Sequence, residues 1–108
     1  MNFETRNPTT GELLEQFDFL TDVQLEQKLI KADNAAQAWA SSSFSERSAL
    51  LHSVAKVLNA RREALAHVIS LEMGKRLAEA LGEVDKCASA CSFYADNSEA
   101  MLQDELIE

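Results

Sequence analysis

The chain has 108 residues, 46% of them hydrophobic and 26% charged, with a formal net charge of -8. That balance suits one compact folding unit; it excludes a disordered tail or a membrane-spanning protein, and the length is too small for two independent cores. The negative charge repels nucleic-acid phosphate and anionic lipid, so neither nucleic acid nor a membrane is expected as a partner.

The acidity is uneven. Asp96, Glu99, Asp104, Glu105 and Glu108 occur without a Lys or Arg between residues 96 and 108, so that end is expected to lie in solvent or to meet basic groups from outside the chain. Met1 to Arg6 show no apolar stretch behind a basic start, and no apolar run reaches the length of a membrane span, so a cytoplasmic location is expected. Cys87 and Cys91, four residues apart in a helical pattern, read as reduced thiols and as small core residues.

The first turn signal is Asn7-Pro8-Thr9-Thr10-Gly11-Glu12, with extended candidates at 2–6 and 13–18. Pro fixes one torsion and Gly is free to take positive φ, which predicts a β-hairpin over 2–18. Thr21, followed by Asp22 and by Gln24 at N3, starts a helix over about 22–40. Its apolar face is Leu25, Leu29, Ala32, Ala36 and Trp39, and Ser41 to Ser43 end it.

Ser45, with Phe44 before it as a staple, is the expected cap of a second helix over 45–59. Leu50, Leu51, Val54, Val57 and Leu58 supply its expected buried stripe. The pattern pauses at Arg61 and Arg62, which predicts a bend or break near residue 60. It resumes through Leu65, Val68, Ile69 and Met73 in a third helix over 61–73, closed by Gly74 as the left-handed residue after the last turn. The fourth helix, 76–102, steps by four and three through Leu77, Leu81, Val84, Ala88, Cys91, Ala95, Ser98 and Leu102. Gly82 interrupts it, and a helical glycine predicts close packing against another backbone. The fold class is therefore mainly α, an N-terminal β-hairpin followed by about four helices.

The chemistry of catalysis is missing from this pattern. Gly11, Gly74 and Gly82 are the only glycines, so there is no glycine-rich phosphate loop and no nucleotide site is expected within these residues. His52 and His67 have no cysteine or carboxylate at zinc-ligand spacing and read as ordinary surface or boundary histidines. Neither cysteine has the electropositive surroundings that activate a thiol, so no catalytic residue is assigned. Glu72 stands out because it falls in the last turn before Gly74, where the helix dipole disfavours a carboxylate. Two partners would offset it: a local ion pair with Lys75 or Arg76, or a bound cation held by the carboxylate and backbone carbonyls.

Asn7-Pro8-Thr9-Thr10-Gly11-Glu12, Ala38-Trp39, Glu46-Arg47, Leu71-Glu72-Met73-Gly74-Lys75, Ala78-Glu79, Gly82-Glu83-Val84 and Phe93-Tyr94-Ala95 occur in the order and spacing found at the start of aldehyde dehydrogenases. The resemblance covers essentially the whole chain. Within that superfamily, Leu71 to Lys75 and Tyr94-Ala95-Asp96 look most like bacterial succinate-semialdehyde dehydrogenases that use NAD or NADP. Arg76 departs from the pattern, since relatives commonly have proline there, and this puts the start of the last helix in doubt.

The resemblance implies that residues 1–108 are the N-terminal helical segment of the nucleotide-binding domain within the α/β aldehyde dehydrogenase fold. Such enzymes oxidise an aldehyde to the carboxylic acid through a cysteine thiolate, hydride transfer to NAD(P) and a glutamate-activated water. The groups responsible fall in segments that would follow Glu108, so the catalytic domain is expected to be absent. The isolated chain is expected to be inactive and to bind no NAD or NADP by itself. The expected partner is the remainder of the dehydrogenase chain, in a homo-oligomer when full length.

Two residue-level expectations come from the family. The backbone carbonyls of Thr5 and Arg6, with the Glu72 side chain, match positions that hold a structural monovalent cation. Lys86 matches a helix position lining the outer substrate passage, where a positive charge would attract an aldehyde carrying a second carboxylate. The alternative reading is a non-catalytic helical interaction module that self-associates or binds a partner protein through the same apolar faces.

Overall fold

The computed structural model describes residues 2–107, in the order β1 (Asn2–Arg6), β2 (Leu13–Asp18), α1 (Asp22–Ala40), α2 (Phe44–Ala60), α3 (Arg62–Met73) and α4 (Leu77–Met101). The fold is thus a hairpin followed by four helices. Two compact units are present: the hairpin, α1 and residues 71–74 form one, and residues 43–70 with those from 75 onward form the other.

In the first unit β1 and β2 pair antiparallel, Phe3 opposite Phe17 and Thr5 opposite Glu15, with a one-residue shift between Thr5 and Arg6. The connecting turn is built from its own polar groups. The Asn7 side chain accepts from the Thr9 amide at 2.9 Å, the Gly11 amide donates to the Asn7 carbonyl at 2.8 Å, and Gly11 takes φ +74°. That left-handed torsion is why glycine stands there. Phe3 stacks on Phe17 at 5.2 Å and lies 5.6 Å from Phe19. α1 opens with a reciprocal cap: the Gln24 amide donates to Thr21 Oγ1 and the Thr21 amide to Gln24 Oε1. No residue of α1 is buried.

α2 begins differently from the sequence expectation. Ser43, not Ser45, is the N-cap, receiving the Glu46 amide on its hydroxyl while Glu46 Oε2 accepts from the Ser43 amide at 2.7 Å. Glu46 at N3 is what selects Ser43, because Ser45 has no acid or amide three residues on. The break near residue 60 is present, with Arg61 as the residue between α2 and α3. Gly74 follows α3 at φ +67°, the backbone that closes a helix with glycine.

The second unit centres on α2 and α4, which run antiparallel: Ser48 Oγ, near the start of α2, donates to the Ala95 carbonyl at 2.7 Å, and Leu58, near its end, packs against the cluster that holds Ala80 and Val84 of α4. The buried residues are Ala55, Ala66, Ala80, Val84 and Ala88. Ala66 joins Ala80 and Val84, covered by Leu58, Leu65, Ile69 and Leu81. The inward line of α2 therefore runs through Ser48, Leu51, Ala55 and Leu58, whereas Leu50, Val54 and Val57 are exposed. Small residues at the crossing let the helices approach, and the larger expected residues fall beside that line. α4 keeps its expected stripe at Leu81, Val84, Ala88, Cys91, Ala95 and Ser98.

Candidate functional site

The structure brings together two of the residues singled out from sequence. The Thr5 hydroxyl of β1 donates to Glu72 Oε1 of α3 at 3.1 Å. The Asn-Pro turn sits beside them, so close that a Cβ on Gly74 would lie 3.0 Å from Pro8 Cγ. No basic residue occupies the last turn of α3. Lys75 pairs with Glu83 and Arg76 approaches Glu79 at 3.8 Å, so the local ion pair considered for Glu72 is not formed.

The Arg6 side chain turns to Glu4 Oε1 at 2.6 Å and to the Gly11 carbonyl at 3.0 Å. Its guanidinium, with Gln16 beside it, holds the Glu4 carboxyl below the ordinary carboxylate value. Arg6 can therefore offer a cation its backbone oxygen alone. Among the described residues no group of three or more His, Cys, Asp and Glu side chains converges as a metal site.

Lys86 is exposed on α4 and borders an open depression with Lys75, Glu79, Gly82 and Glu83. The two carboxylates there face other cations. Glu83 engages Lys75 and raises its pKa above the ordinary lysine value, and Glu79 is nearest Arg76. Lys86 has no ion-pair partner among the described residues.

Three polar links escaped the sequence reading. Arg62 forms a two-pronged pair with Asp85, Nε to Oδ1 at 2.5 Å and Nη2 to Oδ2 at 2.7 Å, and holds the Asp85 carboxyl below its ordinary value. His52 Nε2 meets Asp96 Oδ1 at 3.0 Å, and Ser48 reaches Ala95. All connect residues on different helices, 23 to 47 positions apart, which periodicity does not register. An open groove between the start of α2 and the end of α4 is lined by residues that include Phe44, Arg47, Leu51, Tyr94, Glu99 and Leu102.

Cys87 is exposed and Cys91 half-buried, both free thiols. The expectation of two core cysteines is thus corrected, because the buried line of α4 passes through Val84 and Ala88 and leaves Cys87 one position outside it. Gly82 is also not packed against a backbone here: a Cβ would meet nothing within 4 Å. No described glycine forms a phosphate cradle, since Gly11 lies in the hairpin turn, Gly74 after α3 and Gly82 inside α4. No described helix is long and apolar enough to cross a membrane.

The aldehyde dehydrogenase family model matches residues 1–108. The chain belongs to that family. It is 37% identical over 107 residues to a probable NADP-dependent succinate-semialdehyde dehydrogenase of Synechocystis, covering 99% of this chain and 24% of the relative. A Deinococcus radiodurans succinate-semialdehyde dehydrogenase is 36% identical, with 97% and 22% covered. The crystal structure of the Streptococcus pyogenes succinic semialdehyde dehydrogenase, solved with NADP, superposes with a TM-score of 0.89 at 36% identity, covering 98% of this chain and 24% of that one. The chain thus spans about a quarter of the length of these aldehyde dehydrogenases.

Proposed function

We propose that residues 1–108 are the N-terminal helical part of the nucleotide-binding domain of a dehydrogenase that oxidises succinate semialdehyde to succinate, with NADP as hydride acceptor. The observation that supports this most is the likeness along the whole chain to relatives bearing that name. The catalytic thiol, the base and the cofactor cradle belong to the remainder of the polypeptide. A homo-oligomeric, cytoplasmic enzyme completes the proposal. NADP supplies the hydride acceptor when bound; these residues supply helices and charge around the site.

The test is NADP reduction by the complete polypeptide, with succinate semialdehyde compared against a neutral aldehyde of the same carbon number. Turnover of the acidic aldehyde is expected from the complete polypeptide and none from residues 1–108 alone. Equal or exclusive turnover of the neutral aldehyde would remove the substrate assignment, and activity in residues 1–108 would remove the division of labour.

Lys86 is proposed to attract the second carboxylate of the substrate. Lys86→Glu should raise KM for succinate semialdehyde about tenfold through charge reversal, and much less for the neutral aldehyde. An equal rise for both discards the role. The second proposed site is a monovalent cation held by Glu72 and the backbone carbonyls of Thr5 and Arg6, with oxygen ligands still to come from outside these residues. The oxygen-only donor set and the disfavoured position of Glu72 in the last turn of α3 suit a hard cation. Sodium or potassium should raise the thermal midpoint of the complete polypeptide, and Glu72→Gln should abolish that rise; a rise that persists in the variant places the cation elsewhere.

A further inference from the structure

Gly82 is a conformational cost with no return inside these residues. It stands within α4, where glycine is the weakest helix former after proline. Its torsion is not left-handed, because the positive-φ glycines are Gly11 and Gly74. No described atom lies close enough to object to a side chain. Alanine would strengthen the helix and meet only open space.

We infer that an extended stretch of main chain, from the part of the polypeptide outside these 108 residues, crosses α4 directly over Gly82. This rests on the reading of the chain as the opening of a longer dehydrogenase. Material for the crossing is ample, since the chain spans 24% of the Synechocystis relative. The rim of the depression carries Lys75 and Lys86 together with Glu79 and Glu83, side chains that supply both hydrogen-bond donors and acceptors to a peptide group. A main chain presents donors to the glutamates and carbonyl acceptors to the lysines, and it can approach a helix most closely where no Cβ projects.

Gly82→Ala in the complete polypeptide gives opposite signs for the two situations. Helix propensity acting alone raises the thermal midpoint. A crossing main chain lowers it, by about 2–4 °C or more for a large domain. In residues 1–108 by themselves the same change should increase the helical circular-dichroism signal. A midpoint that rises or stays level in the complete polypeptide overturns the inference. So does a loss that disappears on dilution to the monomer, which would put a second copy over Gly82.

Carboxyl footprinting of the unmodified protein decides the matter if the variant does not fold. Glu79 and Glu83 should be shielded in the complete polypeptide and labelled in residues 1–108, and equal labelling overturns the crossing. Aldehyde oxidation by the wild-type polypeptide is scored separately. Its absence counts against the dehydrogenase reading, whereas the sign of the Gly82→Ala shift and the footprint report the crossing.

Discussion

At Gly74 the backbone takes φ +67°, and a Cβ would stand 3.0 Å from Pro8 Cγ; at Gly11 φ is +74° and the same atom would meet nothing within 4 Å. The two positions separate torsional strain from contact. Gly11→Ala should cost the complete polypeptide about 1–2 kcal/mol, the strain of a left-handed residue bearing a side chain. Gly74→Ala should cost more, because Pro8 must also give way. Denaturant midpoints measure both, and equal losses would mean that the Asn-Pro turn moves aside freely. Gly74 was legible in the sequence because a glycine after an apolar periodic run has one common use. The Thr5–Glu72 hydrogen bond was not legible in periodicity, since 67 residues separate its ends; the awkward charge on Glu72 called for a partner, and the family resemblance put Thr5 and Glu72 at one site. The Arg62–Asp85 pair adds a pH dependence whose sign follows from its cause. The guanidinium depresses the Asp85 pKa in the folded protein, so the pair's contribution is complete above the unfolded carboxylate value and is lost as pH falls through the folded one. Arg62→Met should therefore narrow the stability difference between neutral pH and the acid side of the ordinary carboxylate range. An unchanged acid profile would show that the half-buried pair contributes nothing measurable.

Helix by helix, hydrophobic period located the elements and cap chemistry located their ends, with α2 showing where the two differ. Phe44 was read as a staple before Ser45, yet it is the first residue of the helix, and the cap is Ser43. The deciding signal was present in the sequence as Ser43-x-x-Glu46, a reciprocal cap that a serine run obscures. Ser43→Ala should cost about 1 kcal/mol, the usual value of a lost N-cap, and Ser45→Ala should leave stability nearly unchanged. Reversal of that order in thermal melts would reinstate Ser45. The buried stripe of α2 was harder to read. Leu50, Val54 and Val57 share the helical spacing expected of a core face, but the antiparallel crossing with α4 needs small residues at its centre and takes Ala55 inward. Alanine carries too weak a hydrophobic signal to outvote neighbouring leucines and valines from sequence alone.

Among the described residues the buried ones are four alanines and one valine, while Phe3, Val23, Leu25, Leu29, Ile30, Trp39 and many other large apolar side chains are exposed. Each large side chain left in water forgoes about 1.5–3 kcal/mol of burial, so residues 1–108 lack the apolar burial that normally offsets the entropy of ordering a chain. Periodicity could say which faces are apolar, but not which become core, because that depends on what lies against them. In relatives about four times as long, the remainder of the polypeptide is the natural cover. Residues 1–108 alone should then bind a hydrophobic dye strongly, keep helical circular dichroism, and melt without a sharp cooperative transition. Adding the remainder of the polypeptide as a separate chain should quench the dye signal and restore cooperativity as the apolar faces are covered. A monomeric chain that melts sharply and leaves the dye dark would mean that its own residues make an adequate core, and the need for a covering segment would fall with that result.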